Sequence, residues 1–180
     1  RDAANSRLMR PPLVSPRLRY RELASGDLDA FHALVTDAHV RRYLMDGEIL
    51  PRSWSEQAIA TSVASFESQG VGLWLIWARD DPADARPIGF CGYWTFEEVE
   101  PAAQLLYAFV ESATGRGYAT ETARVLVDYG RTHAGMADVF SAVDAPNAAS
   151  ARVLEKLGFE RRGAVPGAFG DVVLFVLRER

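Results

Sequence analysis

At 180 residues, with 48% hydrophobic and 24% charged residues, the chain has the composition of a single globular domain and not of a disordered or fibrous protein. Its net charge of −4 argues against non-specific binding to nucleic acid or to an anionic membrane. The single cysteine, Cys91, excludes an internal disulfide and a metal–thiolate cluster.

The apolar runs and the first residues indicate where the protein resides and where its domain begins. No apolar run is as long as a membrane span and no secretory signal pattern opens the sequence, so we expect a cytoplasmic protein. Residues 1–12 are polar, contain proline and lack periodicity. We therefore predict a loosely held arm over residues 1–15 and a single domain over residues 16–180.

The beginning of the domain predicts one strand and two helices. Residues 18–23 alternate apolar and polar side chains, as in a half-buried strand. A helix then starts with Asp27 as its N-cap and keeps an apolar face as far as Ala38. A second helix follows Pro51 and ends at Gly70.

Three further strands are predicted over residues 71–79, 87–96 and 103–110. Successive short strands separated by polar turns indicate an antiparallel meander. The second turn concentrates the carboxylates of Glu97, Glu98 and Glu100. Together with Asp46 and Glu48 of an earlier loop, these groups either keep the surface soluble or form an acidic mouth that attracts a cationic ligand.

The most informative stretch covers residues 104–130. An apolar run through Phe109 predicts a buried strand, and a turn with Gly115 and Gly117 follows it. From Tyr118 onward, small and apolar side chains recur every three or four residues, which predicts a helix. A strand, a glycine turn and a helix in succession direct several backbone N–H groups and the positive helix end at one point, which suits a diphosphate.

This pattern alone leaves two interpretations open, a simple tight turn and an anion-binding loop. It lacks the third glycine of the dinucleotide-binding pattern, and no Gly-Lys-Ser/Thr follows as in a P-loop.

The end of the chain predicts one more helix among three strands. Residues 139–143 form a strand, and Asn147 caps a helix that carries Ser150 and stops at Gly158. The last two predicted strands are residues 159–162 and 171–177, with a glycine-rich loop over residues 163–170 between them.

Three segments together resemble the GCN5-related N-acetyltransferase (GNAT) family, in particular its branch of ribosomal-protein N-terminal acetyltransferases. Gly-Arg-Gly-Tyr-Ala-Thr-Glu at residues 115–121 looks like the acyl-CoA loop of that branch. Asn-Ala-Ala-Ser at 147–150, followed by Lys-Leu-Gly-Phe at 156–159, is similar to its second motif, and residues 16–21 are similar to its opening strand.

The resemblance implies the acyl-CoA N-acyltransferase fold. This is an α/β (α+β) domain with a twisted mixed, mostly antiparallel sheet of about seven strands and about four flanking helices. The sheet is splayed between the fourth and fifth strands, where acetyl-CoA enters.

The resemblance also implies where acetyl-CoA binds. Backbone N–H groups of the loop hold the diphosphate, and the end of the fourth strand contacts the pantetheine and the thioester. The loop composition agrees, because Gly115 and Gly117 have no Cβ that keeps the chain away from phosphate oxygens. The implied cofactor-binding residues are Phe109, Val110, Gly115, Arg116, Gly117, Tyr118, Ala119, Thr120, Asn147 and Ser150.

Departures from the family pattern bear on catalysis. Leu154 stands where many members place a tyrosine that protonates the leaving thiolate, and the resemblance suggests Ser150 in its place. Gln104 stands where the ribosomal branch often has a glutamate, and glutamine cannot act as a base. The remaining carboxylates near the inferred cleft are those of Glu111, of the acidic turn and of Asp171. The resemblance favours Asp171 as the base, because the branch commonly has an aspartate at this strand entry, and we predict the N–H of Phe109 as the oxyanion donor. Helix capping by Ser150 and a turn role for Asp171 are the structural alternatives.

The sequence thus predicts an acetyl-CoA-dependent N-acetyltransferase. It would transfer an acetyl group by direct attack of a primary amine, from a protein N-terminus or a small molecule. Two alternatives stay open: a CoA-binding module without activity, suggested by Gln104 and Leu154, and a domain that binds another diphosphate nucleotide. The predicted partners are acetyl-CoA and the amine, without nucleic acid, membrane or metal, and the predicted state is a monomer or a homodimer.

Overall fold

The computed structural model describes residues 10–179, in which helices cover both faces of a seven-stranded sheet. The strands are β1 (Leu18–Glu22), β2 (Leu73–Ala78), β3 (Gly89–Phe96), β4 (Glu100–Phe109), β5 (Val139–Asp144), β6 (Glu160–Gly167) and β7 (Gly170–Leu177). The α-helices are α1 (Leu28–Thr36), α2 (Ala38–Leu44), α3 (Arg52–Gln69), α4 (Tyr118–His133) and α5 (Ala148–Lys156).

The strand order is β1-β2-β3-β4-β5-β7-β6, and the sheet divides between β4 and β5. All other neighbours are antiparallel, whereas β4 and β5 run parallel and, over residues 10–179, pair only where Gln104 faces Phe140. Beyond that pair the two strands diverge, so the carboxyl end of β4 has a neighbour on one side only. The predicted mixed, mostly antiparallel sheet and its meander are confirmed.

Alternation along β4 separates its side chains onto two faces of the sheet. Leu105, Tyr107 and Phe109 pack with α4 and α5 on what we call the front face. Leu106 and Ala108 pack with α1, α2 and α3 on the rear face. The gap between β4 and β5 therefore connects the two faces.

Helix α4 is fixed closely against β3. The hydroxyl of Tyr93 donates to the carbonyl oxygen of Leu126 at 2.7 Å. A Cβ on Gly130 would lie 2.3 Å from that hydroxyl oxygen, so only glycine permits this approach. The contact fixes the position of α4 relative to the sheet, and with it the turn that precedes the helix.

Residues 10–179 contain five α-helices where about four were predicted, because α2 begins at Ala38, where the first predicted helix was expected to end. The backbone of Asp37 is extended, and its carboxylate accepts from the N–H groups of His39 and Val40, so it caps a new helix. Asp27 does precede α1, but its side chain makes no capping hydrogen bond to that helix and instead pairs with Arg21.

The prediction of a glycine-rich loop over residues 163–170 is wrong for most of that range. β6 continues to Gly167 and β7 begins at Gly170, so only two residues form the turn. Glycine can join a strand ladder because the ladder consists of main-chain hydrogen bonds. The longer hairpin reaches the loop between α2 and α3, where the ring of Phe169 lies 3.4 Å from the position of a Cβ on Gly47.

Residues 1–9 of the predicted N-terminal arm lie outside the described residues. In residues 10–15, Leu13 and Ser15 are buried, and Arg10 pairs with Glu22 at 3.0 Å. This part of the arm therefore packs on the domain. Within residues 10–179, no helix has the length and apolar character needed to cross a membrane.

Candidate active site

The predicted glycine turn lies between β4 and α4. Gly115 and Gly117 have φ angles of 72° and 78°, in the left-handed region that favours glycine. Gly117 is the N-cap residue of α4, and residues 114–117 are exposed. The turn thus opens its backbone to solvent at the positive end of a 16-residue helix.

The backbone N–H groups of residues 115–120 are free to bind a ligand. None of these six donates to an acceptor within residues 10–179, whereas the flanking N–H groups of Thr114 and Glu121 donate to Glu111 and Gly117. Successive unpaired donors at a helix N-terminus attract anions, since each donor contributes a partial positive charge. We call residues 115–120 the anion loop.

Arg17, just before β1, contacts the anion loop. Its Nη1 donates to the carbonyl oxygen of Arg116 at 2.9 Å, and its Nε donates to the carboxylate of Glu121 at 2.7 Å. Burial disfavours the ionised Glu121, but hydrogen bonds from Ser15 and Arg17 outweigh it and hold the pKa of this carboxyl below its usual value. Sequence reasoning missed this contact, although both segments resemble the same family branch.

Phe109 lies at the end of β4, beside the gap. The following residue, Val110, donates its N–H to Ile88 of the β3 side at 2.9 Å. In an antiparallel ladder alternate residues bond to alternate sides, so the backbone groups of Phe109 and Tyr107 point away from β3 and into the gap. Both backbone groups of Val110 are already bonded, since its carbonyl oxygen accepts from Ala113.

The first turn of α5 forms the other wall of the gap. Asn147 caps this helix as predicted, because its Oδ1 accepts from the N–H of Ser150 at 3.2 Å. Ser150 is half-buried, and Leu154, one turn later, is fully buried. The structure therefore places Asn147 and Ser150 in the first turn of α5, whose backbone contacts the front face of β4 at Tyr107.

Tyr107 crosses the gap, which the sequence analysis did not foresee. Its hydroxyl donates to the carbonyl oxygen of Ser150 at 3.3 Å. Burial raises the pKa of Tyr107 to about 12, so the hydroxyl keeps its proton at neutral pH. Alternation with Phe109 along β4 is the sequence signal that places this side chain on the front face.

The two carboxylates nearest the end of β5 lie on opposite faces. Asp171, the predicted base, is exposed at the start of β7 and shares the front face with Phe175. Asp144 is half-buried at the end of β5, on the rear face. Burial and the nearby charge of Asp46 raise the pKa of the Asp144 carboxyl. The sequence analysis placed Asp144 only in a turn.

Gln104 occupies a structural position at the point where the sheet divides. Its Nε2 donates to the carbonyl oxygens of Phe96 and Glu100 at 3.2 and 3.1 Å. Its Oε1 is buried without a partner in the described part of the chain. The carboxylate of Glu100 pairs with Arg162 at 2.7 Å, so this member of the acidic turn is neutralised.

Comparisons with known proteins agree with this arrangement. A family model described as an acetyltransferase (GNAT) domain matches residues 17–160. The N-acetyltransferase YoaA of Bacillus subtilis is 28% identical over 159 residues, 87% of each chain. The N-acetyltransferase p20 of Bacillus licheniformis is 25% identical over 175 residues, 93% of this chain and 96% of its own.

Solved structures share the fold. An acetyltransferase from Agrobacterium tumefaciens has a TM-score of 0.77 at 22% identity, covering 94% of this chain and 95% of its own. The ribosomal L7/L12 alpha-N-protein acetyltransferase RimL, solved with coenzyme A, has a TM-score of 0.75 at 17% identity, covering 92% and 96%. The chain therefore belongs to the GNAT acetyltransferase family, as the sequence motifs predicted.

Proposed function

We propose that this acetyltransferase transfers the acetyl group of acetyl-CoA to a primary amine, by direct attack of the amine on the thioester. The anion loop carries the proposal, because six free N–H groups lie beside the open end of β4. The residues present fit coenzyme A: the loop offers donors to a diphosphate, and the gap offers unpaired strand groups to an extended amide chain. When bound, acetyl-CoA supplies the activated acetyl group.

The backbone of β4 and the first turn of α5 provide the proposed catalytic groups. The N–H of Phe109 points into the gap, where it can stabilise a developing oxyanion by about 10²–10³ in rate. Ser150, whose carbonyl oxygen accepts from Tyr107 of the same strand, is the proposed donor of a proton to the departing thiolate. The cap from Asn147 fixes the backbone of Ser150 for this role.

A base is needed because amines with pKa values of about 8 to 10 are mostly protonated at neutral pH. Asp171 is the candidate predicted from the sequence, and Asp144 is a second candidate. The raised pKa of the Asp144 carboxyl makes it a stronger base than an ordinary aspartate. Substitution of each carboxylate by its amide distinguishes them.

A cationic amine is the proposed acceptor. The neighbouring carboxylates of Asp46 and Asp144 give the rear side of the gap a negative potential, which attracts a protonated amine before it loses its proton. Both a protein N-terminus and a small-molecule amine satisfy this requirement. RimL is described as an alpha-N-protein acetyltransferase, so peptides with free N-termini form the first set of an acceptor screen.

Two measurements on the wild-type protein test the function. Titration calorimetry with CoA, acetyl-CoA and ATP should show binding of both coenzymes and much weaker binding of ATP. Thiol release from acetyl-CoA should then require an added amine, with N-terminally blocked peptides as the inactive control. A preference for ATP contradicts the proposal, and tight CoA binding without release on any amine indicates a binding module.

A further inference from the structure

Arg17 uses only part of its guanidinium to hold the protein together. Its backbone N–H and Nε bind the two carboxylate oxygens of Glu121 at 2.9 and 2.7 Å, and Nη1 binds the carbonyl oxygen of Arg116. Its Nη2 has no acceptor within residues 10–179 and lies 3.5 Å from the position of a Cβ on Gly117. The unpaired Nη2 of Arg17 therefore lies beside Gly117, the second glycine of the anion loop.

The guanidinium has a further contact in addition to its hydrogen bonds, although 51% of the Arg17 side chain is exposed. It stacks over the ring of Tyr118, with 4.9 Å between the guanidinium carbon and the ring centre. Nearby, the hydroxyl of Tyr20 lies 3.1 Å from Thr122 Oγ1 and 3.3 Å from Ser15 Oγ. The segment before β1 and β1 itself are thus joined to the first turns of α4 at several points.

The ion pair between Arg17 and Glu121 affects the charge that a bound anion meets at the anion loop. Glu121 lies in the first turn of α4, where an uncompensated carboxylate would repel an anion held by the adjacent loop. Arg17 neutralises that carboxylate and presents further N–H donors on the same side. Loss of Arg17 would therefore remove a donor and expose a repulsive charge at once.

We infer that Arg17 is a phosphate-binding residue of the cofactor site, which holds the anion loop in its binding shape and directs its free Nη2 at the phosphates of acetyl-CoA. The inference rests on the proposed function. It differs from a purely structural role, in which the ion pair only joins β1 to α4.

Acetyl-pantetheine separates these two roles, because it carries the same thioester without the diphosphate and the nucleotide. In Arg17→Ala, kcat/KM with acetyl-CoA should fall by about 10- to 100-fold, the effect of a lost hydrogen bond to a charged group. With acetyl-pantetheine, kcat/KM should stay within about twofold of wild type, a threshold set well below that effect. Equal losses with both donors, or no loss with either, overturn the inference.

Arg19→Ala is the matched control. It removes the same charge two residues later, where the guanidinium stacks over Trp77 and makes no contact with the anion loop. It should leave kcat/KM unchanged with both donors. A loss in Arg19→Ala as large as that in Arg17→Ala would reduce the effect to net charge and overturn the assignment.

Arg17→Lys keeps the test valid if Arg17→Ala folds poorly, and a double variant tests the charge argument. Arg17→Lys retains the charge without the planar fork and should lose less affinity for CoA than Arg17→Ala. Adding Glu121→Gln to Arg17→Ala should recover part of the lost CoA affinity, because the repulsive carboxylate is gone; no recovery contradicts the charge argument. If the wild-type protein does not bind CoA, both the proposed function and this inference are rejected. If wild type and Arg17→Ala bind CoA equally well, only this inference is rejected.

Discussion

Replacing Gly117 by alanine tests the anion loop directly. The φ and ψ of Gly117 are 78° and 7°, a left-handed conformation that costs any other residue about 1–2 kcal/mol. The added Cβ would lie 3.5 Å from Arg17 Nη2, an ordinary contact, so packing adds little to this cost. For a domain of this size, 1 kcal/mol lowers Tm by about 2–4 °C, and we expect a Tm lower by about 2–8 °C.

The expected effect of Gly117→Ala on coenzyme binding has a different origin. The new methyl group would stand beside the N–H groups that are proposed to hold the diphosphate, and it would keep phosphate oxygens at a distance. Loss of one hydrogen bond to a charged group costs about 1.5–3 kcal/mol. This corresponds to CoA binding that is weaker by roughly 10- to 150-fold, measured by titration calorimetry.

Gly135→Ala provides the control for conformational cost. Gly135 follows the end of α4, has a φ of 64° and has no heavy atom within 4 Å of an added Cβ. It should lower Tm by a similar amount and leave the Kd for CoA unchanged. The predicted loss of CoA affinity is at least about tenfold. A Gly117→Ala protein whose Kd for CoA is within about threefold of wild type therefore refutes the role of this turn in diphosphate binding.

Four further substitutions address the gap and its carboxylates. Ser150→Ala should lower kcat by about 10²- to 10⁴-fold, the range for general acid catalysis, and change CoA affinity little; equal losses in both would mean that the residue only serves the helix. Tyr107→Phe should lower the free energy of unfolding by about 1 kcal/mol through the lost bond across the gap, and unchanged denaturant unfolding would contradict this. Asp171→Asn should shift the acidic limb of the pH–rate profile, and an unchanged profile removes it as the base. Asp144→Asn should raise the free energy of unfolding at neutral pH, because the raised pKa means that the folded protein disfavours the ionised carboxylate. This gain should vanish below pH of about 3.9, where the unfolded chain is also protonated; a gain that persists there contradicts the assignment.

Local patterns in the sequence were sufficient for most strands and for the turn conformation. Alternation over residues 18–23 predicts β1, and Gly115 and Gly117 predict the turn in which both have positive φ, because both effects act within a few residues. The split of the sheet depends on where two distant strands stop pairing. This split was predicted only through the family resemblance, since no local sequence pattern indicates it.

The contacts that shape the site join distant segments, so periodicity and composition could not predict them. Arg17 and Glu121 are 104 residues apart, and Tyr107 reaches Ser150 over 43 residues. Both depend on the relative positions of whole helices and strands. The raised pKa of Asp144 likewise depends on burial in the folded domain and, after that, on Asp46, which another loop brings close.

The strand topology explains why the proposed groups meet at one place. Parallel strands require a crossover, and α4 provides it between β4 and β5. The N-terminus of α4 must then lie at the carboxyl end of β4, where the strand has lost its partner. Because β5 is parallel to β4, its own carboxyl end and the cap of α5 at Asn147 lie at the same edge of the sheet. A single crossover therefore places the anion loop, the open edge of β4 and the wall formed by Ser150 around one gap.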